Sequence, residues 1–339
     1  MGADGATADA GVLQRLVDSL RHRGPDGEGA YTARNVALGQ TRLAIIDLET
    51  GNQPLYEPGG AVLVANGEIY NYVELRAQME GEEFSTQSDC EPPLHLYRKY
   101  GLDFVDHLRG MYAIALYDPI EGQLVLARDP FGIKPLYYAQ TDHGFAFASE
   151  PQALIDSGMV APRVNPTALA ELLQLQFTTG AETVFDGITR VLPGESVVVR
   201  DGRVVARRRR SVLPSEGAAD WSEETALELL DTALRNSVEV HQRSDVPYGM
   251  FLSGGVDSSA LLALMSELNS QPVQAFTAGF VGTSVPDERE HARELARITG
   301  AEMTDLAIDA DMFWRELPKI AAAMDDPAAD YAIVPTYFL

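Results

Sequence analysis

The chain has 339 residues, a net charge of −24 at pH 7 and three lysines, and 45% of its residues are hydrophobic. This length is sufficient for two domains with separate hydrophobic cores. So large an acidic excess argues against binding to nucleic acid or to an anionic membrane. No apolar stretch approaches the roughly 20 residues of a membrane-spanning helix, and a single cysteine, Cys90, excludes an intrachain disulfide and a thiolate metal cluster. We therefore expect a two-domain protein of the cytoplasm.

Short apolar or alternating runs dominate the first part of the chain, and this pattern is typical of β-strands. The runs cover residues 36–47, 61–66, 112–117, 124–128, 144–149 and 195–200. Two helices are predicted among them. Apolar side chains from Leu13 to Leu20 fall on one helical face, and residues 166–177 follow Asn165 in an N-cap position. These patterns predict two sheets covered by helices.

The composition changes at residues 207–222, where four arginines are followed by small residues and proline. Such a stretch is typical of a domain linker. In so acidic a chain, a solvated connector is a better interpretation of the arginines than a nucleic-acid site. We predict a first domain over residues 1–206, a linker over 207–222 and a second domain over 223–339.

Helical and strand patterns alternate after the linker. They predict helices over residues 223–242, 260–268 and 287–299, and strands over 246–252, 273–281 and 302–308. Alternating strands and helices imply a doubly wound parallel sheet, in which ligands bind beyond the carboxyl ends of the strands. Leu252 and Ala278 lie at two such ends, so we expect them to face one nucleotide.

The segment Leu-Ser-Gly-Gly-Val-Asp-Ser-Ser at residues 252–259 lies between a predicted strand and a predicted helix. Backbone N–H groups at a helix N-terminus attract a phosphate, and Asp257 can hold a magnesium ion there. The spacing lacks the lysine that reaches a γ-phosphate, which favours ATP cleavage between the α and β phosphates. A turn that merely caps a helix is the alternative. The predicted ATP-binding residues are Leu252, Ser253, Gly254, Gly255, Asp257, Ser258, Ser259 and Ala278.

This loop resembles that of the ATP pyrophosphatase synthetases, and five further blocks resemble the glutamine-hydrolysing asparagine synthetases in the same order. The blocks are Arg-His-Arg-Gly-Pro-Asp-Gly at 21–27, Thr-Arg-Leu-Ala-Ile-Ile-Asp-Leu at 41–48, Asn-Gly-Glu-Ile-Tyr-Asn at 66–71, Ser-Asp-Cys-Glu at 88–91 and Arg-Asp-Pro-Phe-Gly-Ile-Lys-Pro-Leu-Tyr-Tyr at 128–138. The resemblance implies an α+β four-layer N-terminal-nucleophile sandwich followed by an α/β ATP pyrophosphatase domain. It implies ATP and Mg²⁺ as cofactors and glutamine and aspartate as further ligands, and it leaves a homo-oligomer open.

A glutamine site is predicted in the first domain. Arg42 can pair with an α-carboxylate, and Asp89 can accept the α-ammonium group of the same amino acid. The side chain of Asn66 and the backbone N–H of Gly67 can form an oxyanion hole. Asn-Gly alone favours a hairpin turn, but the neighbouring blocks reverse that preference. The glutamine-binding residues that the resemblance implies are Arg42, Ile46, Asn66, Gly67, Glu68 and Asp89.

No catalytic nucleophile is predicted. In the resembled family the nucleophile is an N-terminal cysteine whose own α-amine is the base, whereas this sequence opens Met-Gly-Ala-Asp. Cys90 is internal and is interpreted as a small, semi-buried hydrophobic residue. The family's second nucleotide loop and catalytic lysine do not occur before Leu339. We expect either a chain shortened at both ends or one that has lost catalysis.

The resemblance implies asparagine synthesis. ATP would activate the aspartate β-carboxylate as an acyl-adenylate with release of pyrophosphate, and ammonia from glutamine would displace AMP. Two alternatives stay open. One is a related enzyme that acts on another carboxylate in peptide or secondary-metabolite modification, or that forms a β-lactam. The other is a catalytically silent protein that binds glutamine and nucleotide.

Overall fold

The computed structural model describes residues 1–3, 5–214, 217, 220–284 and 287–339, and it divides into two compact units. The first unit contains Met1–Ser215 and Asp325–Ala328, and the second contains Glu216–Met324 and Ala329–Leu339. Residue 4 of the opening segment and residues 215, 216, 218 and 219 of the predicted linker lie outside the described residues. Within the described ranges, no helix is long and apolar enough to cross a membrane.

Strands and short helices alternate in the first unit. Its strands are β1 (Gly27–Ala33), β2 (Val36–Arg42), β3 (Leu55–Tyr56), β4 (Val62–Ile69), β5 (Gly110–Asp118), β6 (Gln123–Arg128), β7 (Tyr137–Thr141), β8 (Gly144–Ala148), β9 (Thr189–Arg190), β10 (Glu195–Arg200) and β11 (Arg203–Arg209). Its α-helices are α1 (Ala10–Ser19), α2 (Tyr72–Gln78), α3 (Pro92–Tyr100), α4 (Pro151–Asp156) and α5 (Pro166–Leu175). The side chain of Asn165 caps α5, as predicted.

The first unit has four layers. A central six-stranded sheet has the order β11-β10-β6-β5-β4-β3, and its strands pair antiparallel. Alternation along β4 sends Leu63 to a core shared with Leu94 of α3, and Val64 to a core shared with Phe145 of β8. The sheet β8-β7-β9 packs its other face on α4 and α1. The predicted pair of sheets covered by helices is confirmed.

The block at residues 128–138 is held by two buried charged side chains. Arg128 donates to the carbonyl oxygens of Gly132, Lys134 and Val191, each at 2.7 Å. The Asp129 side chain, which is fully buried, accepts the backbone N–H groups of residues 112, 131, 133 and 134. The two side chains therefore provide hydrogen bonds to the backbone of this loop that a helix or a sheet would otherwise provide.

The second unit alternates helices and strands. Its elements are α6 (Glu223–His241), β12 (Gly249–Phe251), α7 (Val256–Leu268), β13 (Gln274–Phe280), α8 (Arg289–Thr299), β14 (Glu302–Ile308), α9 (Ala310–Ala323) and α10 (Ile333–Phe338). The sheet has the order β12-β13-β14, and both pairings are parallel, as predicted. Gly300 ends α8 in the left-handed conformation that glycine adopts readily. A doubly wound arrangement stays a prediction.

Three predicted boundaries are wrong. Strand β2 ends at Arg42, five residues before the predicted end, because its partner β1 begins at Gly27, which pairs with Arg42. The strand predicted over 246–252 is reduced to Gly249–Phe251. The predicted linker begins too early, since Arg207 and Arg209 pair with β10 within β11. Arginines are tolerated in β11 because it is an edge strand with exposed side chains, and one of them, Arg208, pairs with Asp106 at 2.6 Å.

Candidate functional site

A cavity of about 610 Å³ lies within the first unit, between α1, β2, β4 and β8. Its lining includes apolar side chains of α1 and polar groups from all five family-like blocks. All the residues of the predicted glutamine site line this cavity, namely Arg42, Ile46, Asn66, Gly67, Glu68 and Asp89. The structure thus brings together side chains that come from separate segments of the sequence.

Arg42 is the buried cation of the cavity, with 7% of its surface exposed. It is held at the end of β2 by three hydrogen bonds, from Nη1 to Asn52 Oδ1 at 2.9 Å and from Nη2 to the carbonyl oxygens of Ile46 at 3.2 Å and Asp47 at 2.5 Å. A guanidinium group has five N–H donors, so two remain for a ligand carboxylate. The loop after β2 fixes the orientation of Arg42 and leaves it able to bind an anion.

Asp89 is the buried anion of the cavity. Its Oδ2 accepts the backbone N–H of Ile69 at 2.7 Å. The pKa of Asp89 is raised to about 6, mainly by burial and also by the neighbouring Glu68 carboxylate, while the hydrogen bond from Ile69 opposes the rise. A ligand ammonium group would relieve this unfavourable burial of negative charge.

Asn66 and Gly67 lie inside β4, so the hairpin interpretation of Asn-Gly is wrong. The backbone N–H groups of Ala65 and Ile69 donate to side chains, to Gln53 Oε1 at 2.6 Å and to Asp89 at 2.7 Å, and hence point away from β5. Alternation places the Gly67 N–H on the same free edge. Tyr112 lies opposite Gly67 on β5, and its backbone N–H and carbonyl groups bond to Asp129 rather than to Gly67.

The side-chain amide of Asn66 is a second donor next to that edge. Its Nδ2 is buried and has no hydrogen-bond partner among the described residues. Buried donors without partners are uncommon, and they are the groups an oxyanion hole requires. Gly67 can only be glycine, because a Cβ there would lie 2.2 Å from the Met111 carbonyl oxygen. The cavity wall therefore presents two amide donors side by side.

Cys90 is buried rather than semi-buried, and its Sγ lies 4.0 Å from the Gly67 carbonyl oxygen. Burial raises the pKa of this thiol well above its usual value, and the adjacent Asp89 charge raises it further. The thiol is therefore protonated and a poor nucleophile. The α-amine of Met1 also lines the cavity, donates to the Phe145 carbonyl oxygen at 2.7 Å, and has its pKa lowered to about 6 by burial.

The predicted phosphate loop has the expected strand–loop–helix setting in the second unit. Strand β12 ends at Phe251, the Leu252 N–H donates to the Phe276 carbonyl oxygen at 2.8 Å, and α7 begins at Val256. Because β12 and β13 are parallel, the loop lies at the carboxyl edge that β13 shares. Ala278 is two residues before the end of β13 rather than at the end itself.

The loop is ordered by its own hydroxyl groups. Ser253 Oγ lies 2.9 Å from Ser258 Oγ, and Ser259 Oγ donates to the Gly255 carbonyl oxygen at 2.7 Å. The Gly254 N–H donates to the carboxylate of Glu288 at 3.0 Å. Sequence reasoning missed Glu288, which lies 34 residues away and belongs to no recognised block. The Glu288 carboxylate is thus hydrogen-bonded to the Gly254 N–H, one of the backbone donors that the sequence predicts to bind phosphate.

Asp257 is exposed in the first turn of α7. In the described parts of the chain, no group of three or more His, Cys, Asp or Glu side chains could hold a metal ion. Mg²⁺ commonly binds through one or two carboxylates together with substrate phosphates. Asp257 therefore fits a magnesium ion that arrives with a nucleotide, rather than one held by protein ligands alone.

Comparisons with known proteins agree with this two-part organisation. The glutamine amidotransferase domain family matches residues 2–209, and the asparagine synthase family matches residues 229–339. The chain is 37% identical over 337 residues to asparagine synthetase (glutamine-hydrolyzing) 1 of Bacillus subtilis, which covers 97% of this chain and 52% of that protein. It is 34% identical over 321 residues to amidase chry2 of Gibberella zeae, which covers 88% of this chain and 47% of that protein. The chain spans about half the length of these curated relatives.

Among solved structures, the glutamine phosphoribosylpyrophosphate amidotransferase of B. subtilis complexed with ADP and GMP has a TM-score of 0.47 and 18% identity. The match covers 89% of this chain and 64% of that chain.

Proposed function

Because the chain belongs to the glutamine-hydrolysing asparagine synthetase family, we propose that it serves glutamine-dependent synthesis of asparagine. In this proposal the first unit binds glutamine as the source of ammonia. The second unit binds ATP with Mg²⁺, and ATP activates the β-carboxylate of aspartate as an acyl-adenylate. Ammonia then displaces AMP, after pyrophosphate has been released. We keep the cytoplasm as the expected compartment.

The observation that carries the glutamine assignment is the composition of the cavity. A buried cation, Arg42, and a buried anion, Asp89, line the same space as the backbone of Gly67 and the side-chain amide of Asn66, whose Nδ2 has no hydrogen-bond partner among the described residues. An α-amino acid with a side-chain amide offers the complementary groups: a carboxylate for Arg42, an ammonium for Asp89 and an amide oxygen for Asn66 and Gly67. Three separated contacts of this kind also distinguish the L-form from the D-form.

The nucleotide assignment is supported by the loop between β12 and α7. Its backbone N–H groups lie at the beginning of a 13-residue helix, where the helix dipole favours a phosphate. Magnesium, when bound, would offset the phosphate charge, and Asp257 would be its protein ligand. Ser253, Ser258 and Ser259 already fix the loop backbone through their hydroxyls.

A second candidate is amidation of a carboxylate other than that of aspartate. The similarity to amidase chry2, which covers 88% of this chain, supports it only in that relatives of this chain carry names other than asparagine synthetase. The two candidates share the glutamine and ATP sites and differ in the acceptor. The two candidates can be distinguished by testing which carboxylate substrate causes pyrophosphate release from ATP. A catalytically silent binding protein would release no pyrophosphate with any carboxylate tested.

The glutamine site is tested by ligand-dependent thermal stability. L-Glutamine should raise the melting temperature of the protein, because a ligand that binds only the folded state stabilises it. Arg42→Ala should abolish the rise. Arg34→Ala, which removes an exposed arginine outside the cavity, is the matched control and should keep it. An equal shift in the Arg42 variant, or an equal response to D-glutamine, would show that the site is wrong.

The nucleotide site is tested by calorimetry with Mg·ATP. Asp257→Asn should weaken magnesium-dependent binding by about 1–3 kcal/mol, the range for a hydrogen bond or ligand contact to a charged group. Glu224→Gln is the control, since Glu224 is an exposed acid in the first turn of another helix, α6. Unchanged affinity in the Asp257 variant would remove that residue from the metal site.

A further inference from the structure

The two charged groups of the cavity belong to different segments of the first unit. Arg42 is fixed by the loop that follows β2, through the carbonyl oxygens of Ile46 and Asp47. Asp89 belongs to the segment before α3, which Glu91 holds by accepting the backbone N–H groups of Ser85 at 2.6 Å and Thr86 at 2.8 Å. A ligand that contacts both charges requires these two segments to keep a fixed separation.

The side chain of Asp47 connects the two segments. It is 8% exposed, and its Oδ2 accepts the backbone N–H of Gln87 at 2.7 Å, two residues before Asp89. The same carboxylate accepts the backbone N–H of Thr50 at 2.9 Å and the Thr50 hydroxyl at 2.6 Å. Through its carbonyl oxygen Asp47 also contacts Arg42. One residue therefore touches the Arg42 side chain and the backbone beside Asp89.

The conformation of Asp47 indicates a constrained position. Its φ of 55° is in the left-handed region, which costs free energy for most residues and less for Asp or Asn. Burial alone would raise the pKa of Asp47, but hydrogen bonds from Thr50 and Gln87 and the charge of Arg42 outweigh burial and lower the pKa. The carboxylate is consequently ionised at neutral pH and able to accept all of these donors.

We propose that Asp47 is a positioning residue that sets the separation between the Arg42 guanidinium and the Asp89 carboxylate. The cavity thereby selects ligands that carry both an α-carboxylate and an α-ammonium group. This inference rests on the proposed glutamine site and deepens it. Asp47 itself need not touch the ligand.

The inference is tested with two ligands that differ only in the α-ammonium group, L-glutamine and 4-carbamoylbutanoate. Both carry the terminal amide and a carboxylate for Arg42, but only glutamine uses Asp89. Calorimetry on the whole chain at pH 8 gives the ratio of their dissociation constants. The wild type should prefer glutamine by at least tenfold, the worth of about one hydrogen bond to a charged group.

Asp47→Asn keeps a residue that tolerates the backbone conformation but offers one acceptor oxygen instead of two. The side-chain NH₂ group of the asparagine is a donor, so it could not accept the backbone N–H of whichever residue it faces, Thr50 or Gln87. Asp47→Ser keeps a local contact to Thr50 and is too short to reach Gln87 as well. Both variants should lose about tenfold in glutamine affinity and keep the affinity for 4-carbamoylbutanoate within about twofold. The preference for glutamine should collapse.

The matched control is Asp26→Asn. Asp26 precedes β1, is exposed, and accepts the backbone N–H of Ala44 at 2.9 Å in the loop that follows β2. The Asp26→Asn variant should keep the wild-type ratio of the dissociation constants of L-glutamine and 4-carbamoylbutanoate. Failure of the wild type to prefer glutamine would overturn both the glutamine site and this inference. A wild type that discriminates, with Asp47 variants that keep the ratio or do not fold, would overturn the inference alone.

Discussion

Replacing Asp89 by asparagine should stabilise the ligand-free first unit at pH 8 while abolishing its binding of L-glutamine. Asp89 is buried, and its pKa is raised from 3.8 to about 6. A carboxyl group whose pKa is raised by folding contributes stability that is fully present below pH 3.8 and lost as the pH rises through about 6. The difference between these pKa values corresponds to about 3 kcal/mol of lost stability at pH 8.

The assay is thermal unfolding of both proteins without ligand at pH 4 and pH 8. Asparagine does not ionise and can still accept the Ile69 N–H, so the variant should melt higher at pH 8 by up to roughly 6–12 °C, and the difference should nearly vanish at pH 4. Glutamine affinity of the wild type should rise with pH through about 6, by at most tenfold per pH unit. A melting difference that is the same at both pH values, or a variant that still binds glutamine, would refute the role given to this carboxylate.

Three further outcomes are expected. Glu288→Gln should raise Mg·ATP affinity severalfold in calorimetry, because a neutral amide competes less well with phosphate for the Gly254 N–H than a carboxylate does; an unchanged or weaker affinity would contradict this. Gly67→Ala should lower the free energy of unfolding by about 3 kcal/mol in urea titrations, since overpacking against backbone cannot relax easily. Gly27→Ala in β1, where a Cβ would meet no atom within 4 Å, should be nearly neutral by comparison. Cys90→Ala should leave the rate of glutamate release from glutamine unchanged, because the buried, protonated thiol is a poor nucleophile, and a loss of turnover in this variant would contradict that conclusion.

Local patterns in the sequence predicted most of the strands and the pairing in the second unit. Residues 302–308 form a strand with the predicted bounds, between Gly300, which ends α8, and Asp309, which caps α9. The Asn66-Gly67 pair shows the opposite case. Its local preference is a turn, but pairing with β5 over the length of β4 overrides it and exposes an N–H on the sheet edge.

Contacts between distant segments could not be predicted from the sequence. The hydrogen bond from Gln87 to Asp47 spans 40 residues, and the one from Gly254 to Glu288 spans 34. Asp47 belongs to the block at 41–48, but nothing in that block indicates Gln87 as its partner. Glu288 has no spacing or periodicity that distinguishes it from other acids in a chain with 50 acidic residues. Composition alone predicts a linker at the arginines of β11, because it does not reveal an edge strand.

The roles of Arg128 and Asp129 affect how genetic data on this protein should be interpreted. Both are charged, and both belong to a family-like block, yet neither lines the glutamine cavity. Each is bound to backbone groups, Arg128 to the Val191 carbonyl oxygen and Asp129 to the Ile133 N–H among others. A screen that scores growth or product would therefore return substitutions at these positions as inactive, alongside true ligand-binding residues. Measuring the yield of folded protein for each inactive variant separates folding defects from binding defects. Substitutions at Arg128 or Asp129 should lower that yield, whereas substitutions at ligand-binding residues should not.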